Sequence, residues 1–529
     1  MIKRSGLVVL AFVMLLGLCA GAVQAAPKHK SDGKSGGKYK PGSRSLGDPI
    51  LPQLGNGGYD ARHYDIELDF NPAANRFNSA KVEIDARATQ NLSEFSLDFQ
   101  DLPVREVEVD GRDARFRQVA ATPDLSDNPA HSQPMKLVVT PRRGIDRGDR
   151  FEIEVDYSGA QPQVFTDPDS SIEGWIPGCF TPSGGTRTCN SFFVVGEPIG
   201  SQAWFPSNNY PTEKATFDTD ITVPSDDTAF AAGELRGGAP RPNGNGTSTW
   251  SWREDDPSAT YLMTASNGDF DYEQTTVFER ITARTLPIYT AIDSSGTPEQ
   301  KAAARGTLAR TEEMMNFLAE RYGPYPFDSN GALVDRTTGI GYALEVQGKS
   351  HYPGNNSGPS VSQGTLLHEI SHQWFGNSAT LERWSDIWFN EGWAQWSTWL
   401  WNFSSGQSTT SPEQQFDDNY AAASDEDWSI APAVLDGDPA NLFAFFPTYV
   451  RGAMTIEGYR QIVGDQKFYR FAKRLQSKYR FDNVSTKEFI AEARRNAGFK
   501  GKQDRLLGDY FRQWLYGTTK PTITPDSFD

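Results

Sequence analysis

Three residues in the second half of the chain have the types and the spacing of a metal site. His368 and His372 lie four residues apart, and Glu369 follows the first of them directly. In an α-helix, residues at this spacing share one face, so both imidazoles can reach a single cation. Glu369 is turned to one side of that face, where its carboxylate can act on a water molecule. The sequence therefore predicts a zinc-binding helix over 365–375 that ends at Gly376.

A catalytic zinc ion needs three protein ligands and one open position. Eighteen residues separate His372 from Glu391, which lies on a following segment with helical spacing and is the expected third ligand. A structural interpretation is the alternative, because His-Glu-x-x-His is short and occurs by chance in unrelated chains. The chain has only 6 His, however, and the apolar flanks of the motif would exclude water, which favours the metal.

The run from His368 to Glu391 resembles the zinc site of the M1 family of metallo-aminopeptidases, gluzincins with the pattern His-Glu-x-x-His-x18-Glu. Thermolysin-like endopeptidases have a similar set of residues with one more residue in the gap. Further M1-like matches extend from about Tyr59 to Trp514, so the resemblance covers most of the chain.

The resemblance implies which residues contact the substrate. The family carries Gly-Ala-Met-Glu-Asn where this chain has Tyr342 to Val346. Glu345 is therefore expected to bind the substrate amine, and Ala343 and Leu344 are expected to contact the substrate. Tyr342 and Val346 replace the Gly and the Asn of the family, which affects the pocket for the first side chain.

Two further roles also follow from the resemblance. Val195-Gly-Glu-Pro198 stands where the family has Gln-x-Glu-Pro, which assigns Glu197 to the substrate amino terminus. Tyr449-Val-Arg-Gly-Ala matches the family segment whose Tyr stabilises the oxyanion. A solvated loop carboxylate is the alternative interpretation of Glu197, and a tyrosine of the hydrophobic core is the alternative for Tyr449.

The charge of the chain limits its partners. The formal net charge is −17, although the first 47 residues are basic. Such an acidic body repels nucleic acid and anionic membranes. We expect a peptide or oligopeptide substrate as the partner, no nucleic acid, no membrane after signal removal, and a monomer.

Residues 1–26 predict a cleaved secretory signal, because two basic residues precede an apolar run and small residues follow it. A membrane anchor is the alternative, but the run is shorter than the about 20 residues of a spanning helix. Signal removal leaves Cys179 and Cys189, for which a disulfide is expected in an oxidising compartment. Two free thiols are the alternative. The protein is expected to be secreted, either extracellular or periplasmic.

The remaining chain divides into three parts by composition. Residues 27–55 are predicted as a disordered basic linker. Residues 56–270 alternate polar and apolar side chains, which predicts an antiparallel β-domain. The resemblance implies an α+β protein in which this domain is an N-terminal β-sandwich. It would pack on a thermolysin-like zinc peptidase domain, 271–529, with a helical C-terminal half.

Seven of the 13 Trp lie between Trp374 and Trp401. They could form a platform on which a ligand stacks, or they could pack the helices of the zinc site together. Packing is favoured, because large aromatic side chains dominate protein cores.

Together these features predict a secreted aminopeptidase with one zinc ion per chain. Glu369 would act as the general base, and Tyr449 would stabilise the oxyanion. Three alternatives remain: a zinc endopeptidase, an epoxide hydrolase on the same fold, and a catalytically weak binding protein. The complete set of ligands and catalytic residues argues against the last of these.

Overall fold

The computed structural model describes residues 38–120, 135–160, 164–166, 172–182 and 184–528. The predicted signal and the first part of the predicted linker lie outside this range. The N-terminal domain is built from strands. In chain order they are β1 (Lys40–Pro41), β2 (Tyr59–Asn71), β3 (Arg76–Ala88), β4 (Leu92–Asp98), β5 (Val104–Val109), β6 (Arg115–Ala120), β7 (Met135–Thr140), β8 (Arg150–Ala160), β9 (Val164–Thr166), β10 (Ile172–Phe180), β11 (Thr188–Val195), β12 (Ala215–Pro224), β13 (Thr228–Phe230), β14 (Glu234–Leu235), β15 (Arg241–Pro242), β16 (Thr247–Ser258) and β17 (Ser266–Gly268).

These strands form three sheets that share one hydrophobic core. The largest has the order β14-β16-β12-β2-β3-β8-β5, and the other two are β1-β4-β7-β6 and β13-β17-β11-β10-β9. The polar–apolar alternation of each strand turns one face inward, so that Ile84, Leu97 and Trp175 from the three sheets are buried together. The predicted β-rich N-terminal domain is confirmed. Two strand pairs, β2 with β12 and β1 with β4, are parallel rather than antiparallel.

Residues 40–55 differ from the disordered linker that composition predicts. Ile50 and Leu54 are buried in the core of the β-domain. The carboxylate of Asp48 accepts hydrogen bonds from the backbone N–H groups of Ile50 at 2.8 Å and Trp384 at 2.9 Å. The basic and polar composition of 27–47 led to the prediction of disorder, whereas the burial of Ile50 and Leu54 fixes residues 40–55 against the β-domain.

The second domain contains the remaining strands and the long helices. The strands are β18 (Phe270–Glu279), β19 (Arg284–Asp293), β20 (Asn330–Val334), β21 (Ser350–Tyr352), β22 (Ala379–Leu381) and β23 (Asp482–Val484). The helices are α1 (Pro298–Leu308), α2 (Thr311–Tyr322), α3 (Gln363–His372), α4 (Trp388–Ser404), α5 (Pro412–Ala422), α6 (Asp425–Ser429), α7 (Arg451–Val463), α8 (Asp465–Lys478), α9 (Thr486–Ala497) and α10 (Gly501–Tyr516). Strands β18 to β21 form a mixed sheet in sequence order, and the C-terminal half is helical as predicted.

Aromatic side chains pack the helices of this domain together. The rings of Phe375, which follows α3, and Trp393 of α4 stack with centroids 4.2 Å apart. All seven Trp residues between Trp374 and Trp401 are buried, which agrees with packing rather than a ligand platform. Within the described ranges, no helix combines the length and the apolar character that a membrane span requires.

A half-buried lysine joins the two domains beside α3. Lys214, directly before β12, donates from Nζ to the carbonyl oxygens of Asn377 and Ser378, both at 2.9 Å. Burial lowers the pKa of this ammonium to about 7. The β-domain therefore holds the turn that follows α3, and this turn supports the site described next.

Candidate active site

Helix α3 carries the two histidines of the predicted metal site. Its first turn is capped by the Ser362 hydroxyl, which accepts the Thr365 N–H at 3.0 Å. His368 and His372 project from one face, and their ring centroids lie 4.8 Å apart. The helix extends over Gln363–His372, so it ends before the predicted limit at 375. The turn that follows is held in place by Lys214 and by the aromatic packing of Phe375.

Glu391 lies in the first turn of α4 and faces both histidines. Its Oε2 atom is 3.1 Å from Nε2 of His368 and 3.5 Å from Nε2 of His372. The candidate ligand atoms of the three residues all lie within 4.8 Å of one another. Nδ1 of His372 donates to the carbonyl oxygen of Phe375 at 3.2 Å, which leaves Nε2 free to coordinate. Two imidazole nitrogens and one carboxylate oxygen form one of the donor sets that hold zinc in catalytic sites.

The electrostatic environment also fits a cation. Burial disfavours a charge on His372, yet Glu345, Glu391 and Glu369 raise its pKa to about 10. Burial raises the pKa of Glu391, but the two imidazoles outweigh burial and lower this pKa to about 2. The site therefore has a strongly negative potential, and a divalent cation can replace the proton on His372.

Glu369 lies beside the three candidate ligands rather than among them. One candidate ligand atom each of Glu369, Glu345 and His372 lies within 4.8 Å of the other two. Burial raises the pKa of Glu369 well above that of a free Glu, although His372 opposes the shift. Glu369 therefore lies directly beside the candidate ligands, and its role as a general base stays a prediction.

A pair of buried carboxylates, Glu197 and Glu345, lies next to Glu391. The candidate ligand atoms of these three residues also lie within 4.8 Å of one another. Burial, together with the neighbouring carboxylates, raises the pKa of Glu197. Within the described part of the chain, one buried oxygen of each member of the pair has no hydrogen-bond partner. Both side chains line a cavity of about 670 Å³ that also contains the candidate zinc ligands.

The turn after α3 fixes the position of Glu345. The side-chain amide of Asn377 donates to the carbonyl oxygen of Glu345 at 2.6 Å, and Gln373 donates to the same oxygen at 3.3 Å. Lys214 in turn donates to the carbonyl oxygen of Asn377. The β-domain, the turn after α3 and the backbone of Glu345 are therefore joined by one chain of hydrogen bonds.

The segment around Glu345 differs in part from the prediction. Ala343 lines the cavity, whereas the Leu344 side chain is fully buried in the core and does not line it. The reason is geometric, since neighbouring side chains of an extended segment point to opposite sides. The segment pairs with β21 through one antiparallel bridge, between Leu344 and His351. The hydroxyl of Tyr342 donates to the carbonyl oxygen of Ile172 at 2.6 Å, which ties this cavity wall to β10.

Tyr449 reaches the site from a π-helical turn, Phe445–Val450, that leads into α7. Its ring stacks on that of His368 with centroids 6.2 Å apart and planes at 29°. Burial and then the carboxylates of the site raise the pKa of the phenol, so it remains a hydrogen-bond donor. The alternative interpretation as a residue of the hydrophobic core does not apply, because Tyr449 is half-buried and lines the cavity.

Sequence reasoning missed several residues that line the cavity. Phe443 and Phe445 lie just before Tyr449, and Gln395 and Thr398 lie on α4 beyond Glu391. The only local signal is the apolar run that precedes Tyr449, and such a run equally predicts a buried core. Gln395 and Thr398 lie four and seven residues after Glu391 on α4. Residues at this spacing share one face of a helix, so the position of Glu391 could have identified both of them.

The predicted disulfide joins Cys179 and Cys189, so these residues are not free thiols. It links β10 to β11 next to a wall of the cavity. The carbonyl oxygen of Cys179 accepts hydrogen bonds from N–H and Oγ1 of Thr338, each at 3.0 Å. The disulfide therefore supports the segment that leads to Gly339 and Tyr342.

The site combines two histidines four residues apart, a glutamate from the next helix and a further glutamate, Glu369, directly after the first histidine. This combination defines a zinc metallopeptidase. Two family models match: the Peptidase M1 N-terminal domain over residues 60–262 and the Peptidase family M1 domain over residues 355–514. Together they cover more than half of the 529 residues. The chain belongs to peptidase family M1.

Individual relatives agree with this family. The chain is 25% identical to a glutamyl aminopeptidase of Bos taurus over 344 residues, which cover 61% of this chain and 34% of that protein. It is 22% identical to a leukotriene A-4 hydrolase of Xenopus laevis over 486 residues, 88% of this chain and 72% of that protein. The chain spans about a third or less of the length of the first curated relatives that it matches.

A solved structure shares the whole architecture. The M1 zinc metallopeptidase of Deinococcus radiodurans superposes with a TM-score of 0.74 at 23% sequence identity. The match covers 90% of this chain and 99% of that one. This similarity establishes the two-domain fold, in which a β-rich domain precedes a domain with a helical C-terminal half.

Proposed function

We propose that this protein is a zinc-dependent aminopeptidase that removes N-terminal residues from peptides and holds one zinc ion per chain. His368, His372 and Glu391 would hold the ion. Bound zinc would supply Lewis-acid polarisation of the scissile carbonyl and would acidify a water molecule. The family relationship and the converging donor atoms support this assignment.

The other residues of the site have separate tasks in this proposal. Glu369 accepts a proton from the attacking water and later delivers it to the leaving amine, and its raised pKa suits both steps. The Tyr449 hydroxyl donates a hydrogen bond to the developing oxyanion. Both groups line the same cavity as the proposed zinc ligands.

One observation favours an exopeptidase over an endopeptidase: the buried oxygens of Glu197 and Glu345 that have no partner in the described part of the chain. Two buried carboxylates close together need a counter-charge. The α-ammonium group of a free peptide supplies one, whereas an internal peptide bond does not. Because the pair adjoins the proposed metal ligands, it would set the cleavage position at the first peptide bond.

The proposal is tested with amino-acid arylamides and their N-acetylated counterparts. Acetylation removes the charge that the carboxylate pair binds, so we expect a loss of about 2–5 kcal/mol of transition-state stabilisation. Glu345→Gln keeps the shape of the side chain without its charge, and it should lower kcat/KM mainly for the free amines. Internal cleavage of acetylated peptides at a comparable rate would show an endopeptidase instead.

We also propose that the protein is secreted and acts as a monomer. The N-terminal charge and apolar pattern and the Cys179–Cys189 disulfide support export to an oxidising compartment. Mass spectrometry of the exported protein should find a new N-terminus after Ala25 or Ala26. An uncleaved chain in the membrane fraction would contradict secretion, and analytical ultracentrifugation would test the monomer.

A further inference from the structure

Glu173, on β10, is a buried carboxylate that the proposed mechanism does not use. It is 0% exposed, and it does not line the catalytic cavity. Its Oε2 atom accepts hydrogen bonds from the backbone N–H groups of Ile199 at 2.8 Å and Gly200 at 2.7 Å. Hydrogen bonds to a carboxylate are stronger than those to a neutral acceptor, so Glu173 holds this stretch of backbone firmly.

The stretch that Glu173 holds begins two residues after Glu197, one of the two proposed amine-binding carboxylates. Gly200 also packs directly on β10, since a methyl group added to it would lie 2.5 Å from the backbone nitrogen of Gly174. Burial and the carboxylates of the cavity raise the pKa of Glu197, and the charge of Glu173 adds to this effect because the two groups are close. The contacts of Glu173 therefore fix the backbone that carries Glu197.

Strand β10 also holds the second carboxylate of the pair, through the neighbouring residue. The carbonyl oxygen of Ile172, directly before Glu173, accepts a hydrogen bond from the hydroxyl of Tyr342 at 2.6 Å. Tyr342 lies three residues before Glu345, on the segment that forms a wall of the cavity. Two adjacent residues of one strand therefore hold the segments that carry Glu197 and Glu345.

The distance between the two carboxylates matters if they bind one ammonium group together. One candidate ligand atom each of Glu197, Glu345 and Glu391 lies within 4.8 Å of the other two. An ammonium group that bonds two carboxylates, each at about 2.7–2.9 Å, fits between oxygens at this spacing. A displacement of about 1 Å at such a site can cost on the order of 10²-fold in rate.

We propose that Glu173 is a positioning residue, which holds Glu197 at the distance from Glu345 that the substrate ammonium group requires. It acts through the backbone of Ile199 and Gly200 rather than on the substrate, since it does not line the cavity. This inference rests on the proposed aminopeptidase function, because the position of Glu197 affects catalysis only if Glu197 binds the amine.

A double-mutant cycle between Glu173 and Glu197 tests this proposal, with kcat/KM for an alanine arylamide as the readout. Glu173→Asp keeps the charge but shortens the side chain, so its carboxylate no longer reaches both N–H groups. We expect kcat/KM to fall by about 10–100-fold in the wild-type background. In the Glu197→Gln background the same substitution should change kcat/KM by less than about threefold, because the carboxylate that it displaces is already gone.

Two further variants displace or keep the same loop. Glu173→Gln keeps the length of the side chain and one oxygen, which is sufficient because Oε2 alone accepts both N–H groups. It should retain most of the activity that Glu173→Asp loses. Gly200→Ala pushes the loop away from β10 and should show the same dependence on Glu197, so the cycle can be run with this variant if Glu173→Asp does not fold.

Glu279→Asp is the matched control. Glu279 is also 0% exposed, and its carboxylate accepts two backbone N–H groups, from Ile281 at 2.7 Å and Thr282 at 2.8 Å. None of the residues 279–284 lines the cavity. This variant should lower stability towards urea and leave kcat/KM unchanged. The zinc content of every variant is measured, so that metal loss is not mistaken for a displaced carboxylate.

Several results would overturn the inference. An equal loss from Glu173→Asp in both backgrounds would show a general structural role, and an unchanged kcat/KM in Glu197→Gln alone would remove the target of the positioning. Loss in Glu173→Gln with full activity in Glu173→Asp would show that charge acts, not the hydrogen bonds.

Full activity in Glu173→Asp, beside a large loss in Glu197→Gln, would refute the positioning role but leave the aminopeptidase function intact. If the wild-type enzyme cleaves no free aminoacyl arylamide, the proposed function itself fails, and the inference fails with it.

Discussion

Gly392 of α4 and Gly452 of α7 meet backbone to backbone. A methyl group added at Gly392 would lie 2.8 Å from the main-chain carbonyl carbon of Gly452, closer than such atoms can approach. Glu391 directly precedes the first glycine, and Tyr449 lies three residues before the second. This close contact between helices therefore sets the distance between a proposed zinc ligand and the proposed oxyanion donor.

Gly392→Ala should force the two helices apart. We expect a loss of about 1–3 kcal/mol in the free energy of unfolding, as for other overpacked cores, together with a reduced kcat. Urea denaturation and steady-state kinetics measure the two effects. Gly306→Ala is the matched control, because this helical glycine has open space around it and should gain about 0.5–1 kcal/mol. Equal stability of the two variants would contradict the packing argument.

His368→Ala should abolish stoichiometric zinc binding, because it removes one of three protein ligands. Inductively coupled plasma mass spectrometry of protein dialysed against zinc-free buffer measures the metal content. We expect about one zinc per wild-type chain. His63→Ala is the control. His63 lies on β2, its ring hydrogen-bonds the Thr216 hydroxyl, and it does not line the catalytic cavity. A variant at 368 that keeps both zinc and full activity would refute the ligand assignment.

Glu369→Gln should keep zinc and lose about 10²–10⁴-fold in kcat, the usual contribution of a general base. Tyr449→Phe should lose about 10²–10³-fold, as for one oxyanion donor, with little change in substrate binding. Stopped-flow or steady-state assays on one arylamide, with the zinc content measured for each variant, separate the two effects from metal loss. Unchanged turnover in Tyr449→Phe would mean that another group stabilises the oxyanion.

His351 makes stability depend on pH. It is fully buried, its Nδ1 donates to the Lys349 carbonyl oxygen at 2.8 Å, and its Nε2 lies 3.0 Å from the Ser266 hydroxyl. Burial lowers its pKa from 6.5 to about 4. Because the unfolded state takes up the proton first as pH falls, stability is present above pH 6.5 and lost towards pH 4.

The shift corresponds to about 3–4 kcal/mol at most, at about 1.4 kcal/mol per pKa unit. Urea denaturation near neutral pH and near pH ~4 measures it, with chelator present throughout so that zinc release does not contribute. His351→Gln should flatten the decrease relative to the wild type. Parallel stability curves for the two proteins would show that His351 is not responsible.

The sequence by itself predicted the residues of the candidate active site. His368 and His372 could be placed because helical periodicity relates residues four apart, whatever surrounds the helix. The assignment of Glu391 rested on its spacing from this motif and on the resemblance to family M1. The alternation of polar and apolar residues likewise predicted the β-domain, since a strand with one buried face must alternate. In both cases the information is local in the chain, so no distant contact is needed to recognise it.

The tertiary structure alone decided what lies around these residues. That Leu344 points into the core while Ala343 faces the cavity follows from how one extended segment packs against β21. The support that Lys214 gives to the turn after α3 joins residues far apart in sequence, and so does the contact between Gly392 and Gly452. Phe445 could have been one more core residue, and only the packing of the π-helical turn against α4 leaves its ring exposed beside the cavity. Such contacts depend on the simultaneous packing of elements that are distant in sequence, which local sequence patterns do not encode.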